Sequence, residues 1–275
     1  MVKKINQAGI YVLLLLLSTI CLLPFIMMLV NATREGTDIM KSFTLIPDTY
    51  LAANWEVVKK NLNIPRGFVN SIFMAVTSTV LAAYFSSLTA FGFAFYRFRG
   101  KKLIFTVIIV SMMIPAQLGL LGFYDLSMKM GLIDSYIPLI IPSIASPAAV
   151  FFLRQYLLSV MPKSLLEAPR IDGAGEFYIF HKIGLPIMAP GVATMAIGMF
   201  IGSWNSYLLP LVILNSQKKF TLPVMIASLN SVKDITTNIG ATYVAVAISV
   251  VPIMVVFCFC SKYIISSIAS GSVKE

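Results

Sequence analysis

The sequence predicts an all-α membrane protein with six transmembrane helices, and three observations support this fold class. Hydrophobic residues make up 58% of the chain and charged residues only 12%, about half the charged share of a soluble domain. Six intervals contain no Asp, Glu, Lys or Arg, and each is long enough for the roughly 20 residues that cross a hydrocarbon core. The basic residues cluster in particular connections between these intervals, as expected for a chain with a fixed orientation in a bilayer.

The intervals without charge predict the position of each span. They cover residues 5–33, 67–96, 103–124, 135–153, 183–217 and 235–261. We predict helices at roughly 10–31, 68–95, 103–123, 136–157, 184–212 and 241–266. The first apolar run is longer than that of a signal peptide and no small-x-small cleavage site follows it, which favours an uncleaved first helix. We expect one membrane domain over 1–275, with its core at 68–266.

The orientation follows from the basic residues. With both termini in the cytoplasm, twelve of the 21 Lys and Arg residues lie on the cytoplasmic side, and the stretch "YRFRGKK" (96–102) is the strongest single anchor. Most of the remaining basic residues lie in the long 32–67 loop, where charge orients a chain weakly. The net charge of +10 is explained by this asymmetry, so we expect no nucleic-acid partner.

Several kinds of chemistry are not indicated by the sequence. The phosphate-binding pattern G-x-x-x-x-G-K-[ST] does not occur in it. His181, the one histidine, has no Cys or His neighbour at metal-ligand spacing, and Cys258 and Cys260 would point to different faces of a helix. We therefore expect no metal site, no catalytic residue and no cofactor bound by this chain. An intramembrane enzyme or an ion-coupled carrier would need ionisable groups in the spans, and these are nearly absent.

An uncharged, hydroxyl-rich solute would instead need amide and hydroxyl groups and aromatic rings, and the spans carry such residues. Asn205, beside Trp204 in "FIGSWNSYLLP", is the most notable, because a primary amide in hydrocarbon must find a hydrogen-bond partner. Ser and Thr in membrane helices mostly bond to the backbone or to neighbouring helices. The candidate residues of a substrate path are Asn70, Tyr84, Gln117, Trp204, Asn205 and Tyr207.

A charged, turn-rich island interrupts the apolar pattern at 158–186. Ser164 and Glu167 have the spacing of a capping box, which predicts a helix beginning near Leu165, and "DGAG" supplies turn residues. In the following "EFYIFHKIGLP", Phe177, Phe180 and Gly184 would share one face of a second amphipathic helix. The island is therefore predicted to be a cytoplasmic helix–turn–helix at about 162–183, suited to docking, although a solvated connecting loop remains the alternative.

The same island carries a resemblance to a known family. Glu167-Ala168, Gly173, Ile183 and Leu185-Pro186 match the "EAA" motif of permease subunits of bacterial ATP-binding-cassette importers. The stretches "FVNSIFMAV", "AFYRFRGKK", "MMIPAQ" and "SWNSY" resemble the carbohydrate branch, in particular the maltose-type, MalG-like subunits. The resemblance implies a type I importer permease fold, a multi-pass location in the bacterial plasma (inner) membrane, and sugar, in particular oligosaccharide, as the substrate class.

The resemblance also implies partners and residue roles. Two permease subunits, the other being MalF-like, form a heterodimeric pore above two ATPase subunits that bind ATP and Mg²⁺, and an external solute-binding protein delivers the sugar. The ATPase-coupling residues would be Glu167, Ala168, Arg170, Asp172, Gly173, Ile183, Leu185 and Pro186. Glu167 would contact the ATPase subunit, Gly173 would form the turn, and the last three residues would fix the second helix to the bundle.

Two alternatives and one departure from the motif remain at this point. The chain could be a permease of the same fold for another solute such as glycerol phosphate, or a stand-alone secondary transporter. The departure is Pro169, which stands where the motif commonly has Ala. If the first short helix begins at Leu165, the proline costs it a backbone hydrogen bond, so this helix should either begin later or bend.

Overall fold

A computed structural model describes residues 2–229 and 235–272, and these residues form helices and turns without any strand. The α-helices are α1 (Val2–Ala32), α2 (Gly36–Lys41), α3 (Leu51–Asn61), α4 (Ile64–Phe95), α5 (Lys101–Ser111), α6 (Leu120–Lys129), α7 (Ile137–Ile140), α8 (Pro147–Val160), α9 (Ser164–Ile171), α10 (Glu176–Ile179), α11 (Leu185–Trp204), α12 (Leu208–Ile213), α13 (Leu222–Ser228) and α14 (Ile235–Ser272). The all-α class is therefore confirmed.

Within the described residues, five helical stretches are long and apolar enough to cross a bilayer. They are Gln7–Ala32, Ile64–Phe95, Ile137–Val160, Glu176–Trp204 and Ile239–Phe259. Each corresponds to one of the six predicted spans. The count of six and the cytoplasmic placement of both termini stay predictions.

The predicted span 103–123 is not one continuous helix. It is divided into α5, a tight turn, a 3-10 turn at Ala116–Gly119, and α6. Pro115 explains the break, because it has no N–H to donate and its ring disfavours the helical conformation of the residue before it. The backbone tightens before the proline, where the N–H of Ile114 donates to the carbonyl of Ser111 three residues back (N···O 3.3 Å).

The predicted spans 136–157 and 184–212 are also interrupted. In the first, a 3-10 turn at Ile141–Ile144 separates α7 from α8, which begins at Pro147. In the second, α11 ends at Trp204 and α12 begins at Leu208 with Pro210 in its first turn. Proline fits the first turn of a helix, where its missing N–H costs no hydrogen bond. Pro147 and Pro210 both lie in a first turn after an interruption, whereas Pro190 is accommodated inside α11.

The chain forms two compact units. One contains Met1–Arg66 and Leu222–Pro252, and in it the amide of Asn54 donates to the carbonyls of Ala32 (3.0 Å) and Arg34 (2.9 Å). This side chain joins α3 to the end of α1. Gly240 fits against the same place, because a Cβ atom there would lie 2.6 Å from the Arg34 carbonyl.

The other unit contains Gly67–Thr221 and Ile253–Glu275. Its α8 and α11 pack closely at Gly191, where a Cβ atom would lie 2.8 Å from the ring of Tyr156. The segment after α12 is held by Asp134, which accepts hydrogen bonds from the backbone N–H groups of Asn215 (3.0 Å) and Ser216 (2.9 Å). All the candidate residues discussed below belong to this unit.

Candidate functional site

The predicted helix–turn–helix is present and is called the 164–184 hairpin here. It consists of α9, a turn at 172–175, α10, and one π-helical turn at Phe180–Gly184 that leads directly into α11. The hairpin therefore continues the backbone of a membrane span without a flexible link.

The beginning of α9 differs from the sequence prediction. Ser164 is already helical and Lys163 is the N-cap residue, with no side-chain cap hydrogen bond. The capping-box prediction is therefore wrong. A turn at Pro162, whose carbonyl accepts from the N–H of Leu165 (3.2 Å), starts the helix one residue before the predicted position. α9 continues through Pro169 to Ile171, so the alternative of a later start is also wrong.

Gly173 ends α9 in the way the resemblance implies for the turn. Its φ of +79° is left-handed, a conformation that glycine adopts without steric cost. The N–H of Ala174 donates to the carbonyl of Pro169 (2.9 Å), and the N–H of Gly173 donates to that of Arg170 (3.1 Å). This pair of bonds is a Schellman motif, which satisfies two helix-end carbonyls and reverses the chain.

The inner face of the hairpin belongs to the hydrophobic core of its unit. Leu166, Ile179 and Phe180 are buried in one cluster with residues of α4 and α8, and Ile183 and Leu185 pack against it. Pro186, the third residue expected to fix the second helix, is exposed.

Gly184 allows a close approach to Phe91 of α4, whose ring would lie 2.7 Å from a Cβ atom at this position. Because Phe91 is itself buried, its ring has little room to move. The hairpin is thus anchored to the bundle at a position where only glycine fits.

The outer face of the hairpin is open to solvent. Glu167, Ala168, Arg170 and Asp172 are all exposed, and Glu167 and Asp172 form no ion pair with another described residue.

Apolar side chains lie beside these charged groups on the outer face: Ile171 is 86% exposed, Phe177 69% and Tyr178 58%. The prediction that Phe177 shares one face with Phe180 and Gly184 is therefore wrong. Ile179 lies on the buried side instead, and the π-helical turn at Phe180–Gly184 departs from the regular helical spacing on which the prediction relied.

A polar network that the sequence reasoning missed closes the turn of the hairpin. Arg170 pairs with Glu176 across the turn (Nε to Oε1 2.8 Å), and the hydroxyl of Tyr96, just beyond α4, donates to the same carboxylate. The Arg170 guanidinium also lies 5.6 Å from the centre of the Tyr96 ring. Partial burial, and then the hydrogen bond to Glu176, raise the pKa of Tyr96 to about 12. The phenol therefore stays protonated and keeps donating at any physiological pH.

Tyr84 lies beside the hairpin rather than with the other proposed path residues. Its hydroxyl is 3.2 Å from Nε2 of His181, and its ring contacts Phe180 edge to face. Nδ1 of His181 is 2.7 Å from the carbonyl of Phe177. His181 thus connects the hairpin, to which it belongs, with α4.

Three of the proposed path residues share one cavity. Gln117, Asn205 and Tyr207 line a space of about 660 Å³, called the amide cavity here. The breaks that end α5 and α11 bring these residues together, because each of the three lies in or next to an interruption of a span.

The other two proposed path residues have structural contacts. Trp204 is buried and stacks on Phe200 with ring centres 6.0 Å apart. The amide of Asn70 donates to the carbonyls of Lys218 (3.0 Å) and Phe220 (2.9 Å). In this structure Asn70 therefore holds the segment after α12.

A neighbouring cavity of about 560 Å³ was not anticipated from the sequence. It is called the serine cavity here, because six of its lining residues are serines contributed by four separate stretches of the chain: Ser78, Ser111, Ser143, Ser146, Ser203 and Ser206. Methionine, leucine, alanine, glycine and proline residues form the rest of its described lining. No described residue that lines either cavity is charged.

The comparison with protein families gives a clear match. The model described as "Binding-protein-dependent transport system inner membrane component" matches residues 82–269. This range includes the whole 164–184 hairpin and all but one of the proposed path residues, Asn70.

Individual relatives cover nearly the whole chain. The arabinooligosaccharides transport system permease protein AraQ of Halalkalibacterium halodurans is 35% identical, over 93% of this chain and 92% of the relative. The diacetylchitobiose uptake system permease protein NgcG of Streptomyces coelicolor is 29% identical, over 95% and 87%. The sn-glycerol-3-phosphate transport system permease protein UgpE of Yersinia pestis is also 29% identical, over 95% of both chains.

A solved structure shares the fold. It is a chain of a bacterial ABC transporter involved in the import of the acidic polysaccharide alginate, and it matches with a TM-score of 0.78. The match covers 94% of this chain and 96% of that chain, at 22% sequence identity.

Proposed function

Because the chain belongs to the family of inner membrane components of binding-protein-dependent transport systems, we propose that it is the permease subunit of an ATP-driven oligosaccharide importer. It forms half of the translocation pore in the inner membrane. The chain itself is a transport subunit, and ATP is hydrolysed by separate partner subunits that bind ATP and Mg²⁺.

The composition of the outer face of the 164–184 hairpin is the observation that supports a coupling role. Ile171, Phe177 and Tyr178 are exposed there beside the unpaired carboxylates of Glu167 and Asp172. Exposed apolar side chains rimmed by polar groups mark protein-binding surfaces. The inner face is fixed in the core at the same time. A force applied to the outer face is therefore transmitted to α11 through continuous helical backbone.

The complete transporter contains four kinds of component. A second, MalF-like permease subunit completes the pore, two ATPase subunits each meet one hairpin, and an extracellular solute-binding protein delivers the sugar. ATPase closure moves the hairpin, and the rigid connection to the spans switches the pore between inward and outward access.

The lining of the two cavities supports a carbohydrate as the substrate. Their polar groups are hydroxyls and amides, and no charged side chain is among the described lining residues. A phosphate ester would be held by Arg or Lys, so these cavities favour an uncharged sugar over glycerol phosphate. Similarity to AraQ makes an arabinooligosaccharide the first substrate to try.

The coupling role is tested by a matched pair of glycine substitutions in the complete transporter. Gly173→Val places a β-branched residue at φ +79°, where it is strongly strained, and should abolish ATP-coupled uptake while the subunit still inserts into the membrane. Gly175→Val is the control, because φ is −68° there and a Cβ atom meets nothing within 4 Å. Co-purification of the ATPase subunits and uptake into proteoliposomes are measured for both variants.

Three results would contradict this proposal. Normal coupled uptake by Gly173→Val would exclude the hairpin as the coupling element. Sugar flux through the purified chain without ATPase partners would indicate a stand-alone transporter. Uptake of glycerol phosphate without uptake of any oligosaccharide would assign the chain to the other solute class.

A further inference from the structure

The serine cavity contains a buried hydroxyl group that has no partner in the protein. Ser78 is 4% exposed and its Oγ forms no hydrogen bond within the described structure. Serine in a membrane helix normally donates to a backbone carbonyl three or four residues earlier, as Ser87 of the same helix does to Ala83 (2.6 Å). Leaving a buried hydroxyl unpaired costs free energy, so this position requires an explanation.

Other hydroxyls in the same cavity are also available. Among the described residues, Ser146, Ser203 and Ser206 donate no side-chain hydrogen bond to the protein, whereas Ser111 and Ser143 bond to carbonyls of their own turns. The cavity thus offers several free hydroxyls, each able to donate and to accept. Methionine and leucine side chains provide apolar surface beside them.

We propose that the serine cavity is a sugar-binding subsite of this subunit, and that the Ser78 side chain, whose Oγ is buried in this structure, turns toward the bound sugar and contacts it directly. This inference rests on the proposed function and adds a site that the sequence reasoning did not assign. A saccharide unit presents hydroxyls that pair with free serine hydroxyls, and C–H faces that pack on methionine and leucine. At about 560 Å³ the cavity lies within the usual range for small-molecule sites.

The test uses the complete transporter in proteoliposomes, with Cys21, Cys258 and Cys260 replaced by serine. Ser78→Cys should react with a small methanethiosulfonate reagent, and an arabinooligosaccharide should slow this reaction. At a sugar concentration ten times the dissociation constant, about a tenth of the subsites are free, so labelling should be roughly tenfold slower. Buffer without sugar and buffer with sorbitol at equal osmolarity serve as solution controls.

Ser86 provides the matched control residue. It lies on the same helix, is fully buried and also has an unpartnered hydroxyl, but it does not line the serine cavity. Because Ser86 is fully buried and does not line the cavity, Ser86→Cys should stay unlabelled with or without sugar. In a second measurement, Ser78→Ala should lower the amount of sugar transported per ATP hydrolysed by about three- to tenfold, as expected for one lost hydrogen bond. Ser86→Ala should leave this ratio unchanged.

The outcomes separate this inference from the proposed function. If the transporter imports sugar but Ser78→Cys is unreactive, or is labelled at the same rate with and without sugar, the subsite is refuted and the function stands. Equal effects of Ser78→Ala and Ser86→Ala would refute it as well. If the unmodified transporter imports none of the oligosaccharides tested, the proposed function fails, and the subsite fails with it.

Discussion

The 164–184 hairpin and the serine cavity leave opposite kinds of group without a partner. On the hairpin, Arg170 and Glu176 pair with each other, while Ile171 and Phe177 expose apolar surface. In the cavity, the hydroxyl of Ser78 is buried and has no hydrogen-bond partner among the described residues. Each arrangement costs free energy in the isolated chain.

This difference indicates which kind of partner each region accommodates. A flat surface with exposed apolar groups is stabilised by another protein, which covers it and removes it from water. A small cavity with free hydroxyls is stabilised by a polar molecule that enters it. The two regions therefore divide the proposed function between them, with coupling at one and substrate contact at the other.

The largest effect on stability is expected at the inner face of the hairpin. Gly184→Ala would place a Cβ atom 2.7 Å from the buried ring of Phe91, and overpacking of this kind costs about 1–3 kcal/mol. The variant should lower the unfolding temperature of the purified protein in detergent and weaken coupled uptake.

Two further variants show whether this effect is due to the close contact. Gly198→Ala in α11 is the control, because a Cβ atom there meets nothing within 4 Å and alanine favours the helix at both positions. Phe91→Leu combined with Gly184→Ala should recover part of the lost stability. If Gly198→Ala were equally destabilising, the loss at Gly184 would not be due to its close contact with Phe91, and the inner face of the hairpin would not be anchored there.

A smaller effect distinguishes paired from unpaired serines within the cavity. The hydroxyl of Ser143 donates to the carbonyls of Ile140 (2.6 Å) and Ser78 (3.1 Å). Ser143→Ala should therefore lower the free energy of unfolding by about 1 kcal/mol. Ser78→Ala removes a hydroxyl without a protein partner and should leave the stability unchanged or slightly increased. Thermal unfolding of both variants without sugar measures the difference, and equal losses would show that Ser78 has a structural bond after all.

Much of this organisation is readable from the sequence, and the exceptions have local physical causes. The stretches without charge identify the apolar spans because a bilayer penalises each charged side chain. Gly173 marks the turn because only glycine adopts a positive φ freely. The interruption near Pro115 could have been anticipated from the same rules, since a proline removes a backbone hydrogen bond from an α-helix and disfavours its continuation.

Other features depend on contacts that no local pattern specifies. Phe177 is exposed, and the π-helical turn at Phe180–Gly184 breaks the regular helical period from which a common face with Phe180 was predicted. Tyr84 resembles a path residue in the sequence, yet it lies against His181 and Phe180 because α4 passes beside the hairpin. The serine cavity assembles residues from four separate stretches of the chain, none of which indicates a cavity by itself.

The smallest effect is expected at the turn of the hairpin. Glu176→Gln keeps an acceptor for the hydroxyl of Tyr96 but removes the charge that pairs with Arg170. Both partners are more than a third exposed, so the loss of stability should stay below about 1 kcal/mol.

The salt dependence of this stability loss tests whether the loss comes from the ion pair between Arg170 and Glu176. Screening weakens an exposed ion pair, so the difference in unfolding temperature between the unmodified protein and Glu176→Gln should shrink as the salt concentration rises. A large loss that does not depend on salt would mean that the carboxylate holds the turn through its bond to Tyr96. In that case the polar network, rather than the packing of the inner face, would determine the position of the hairpin.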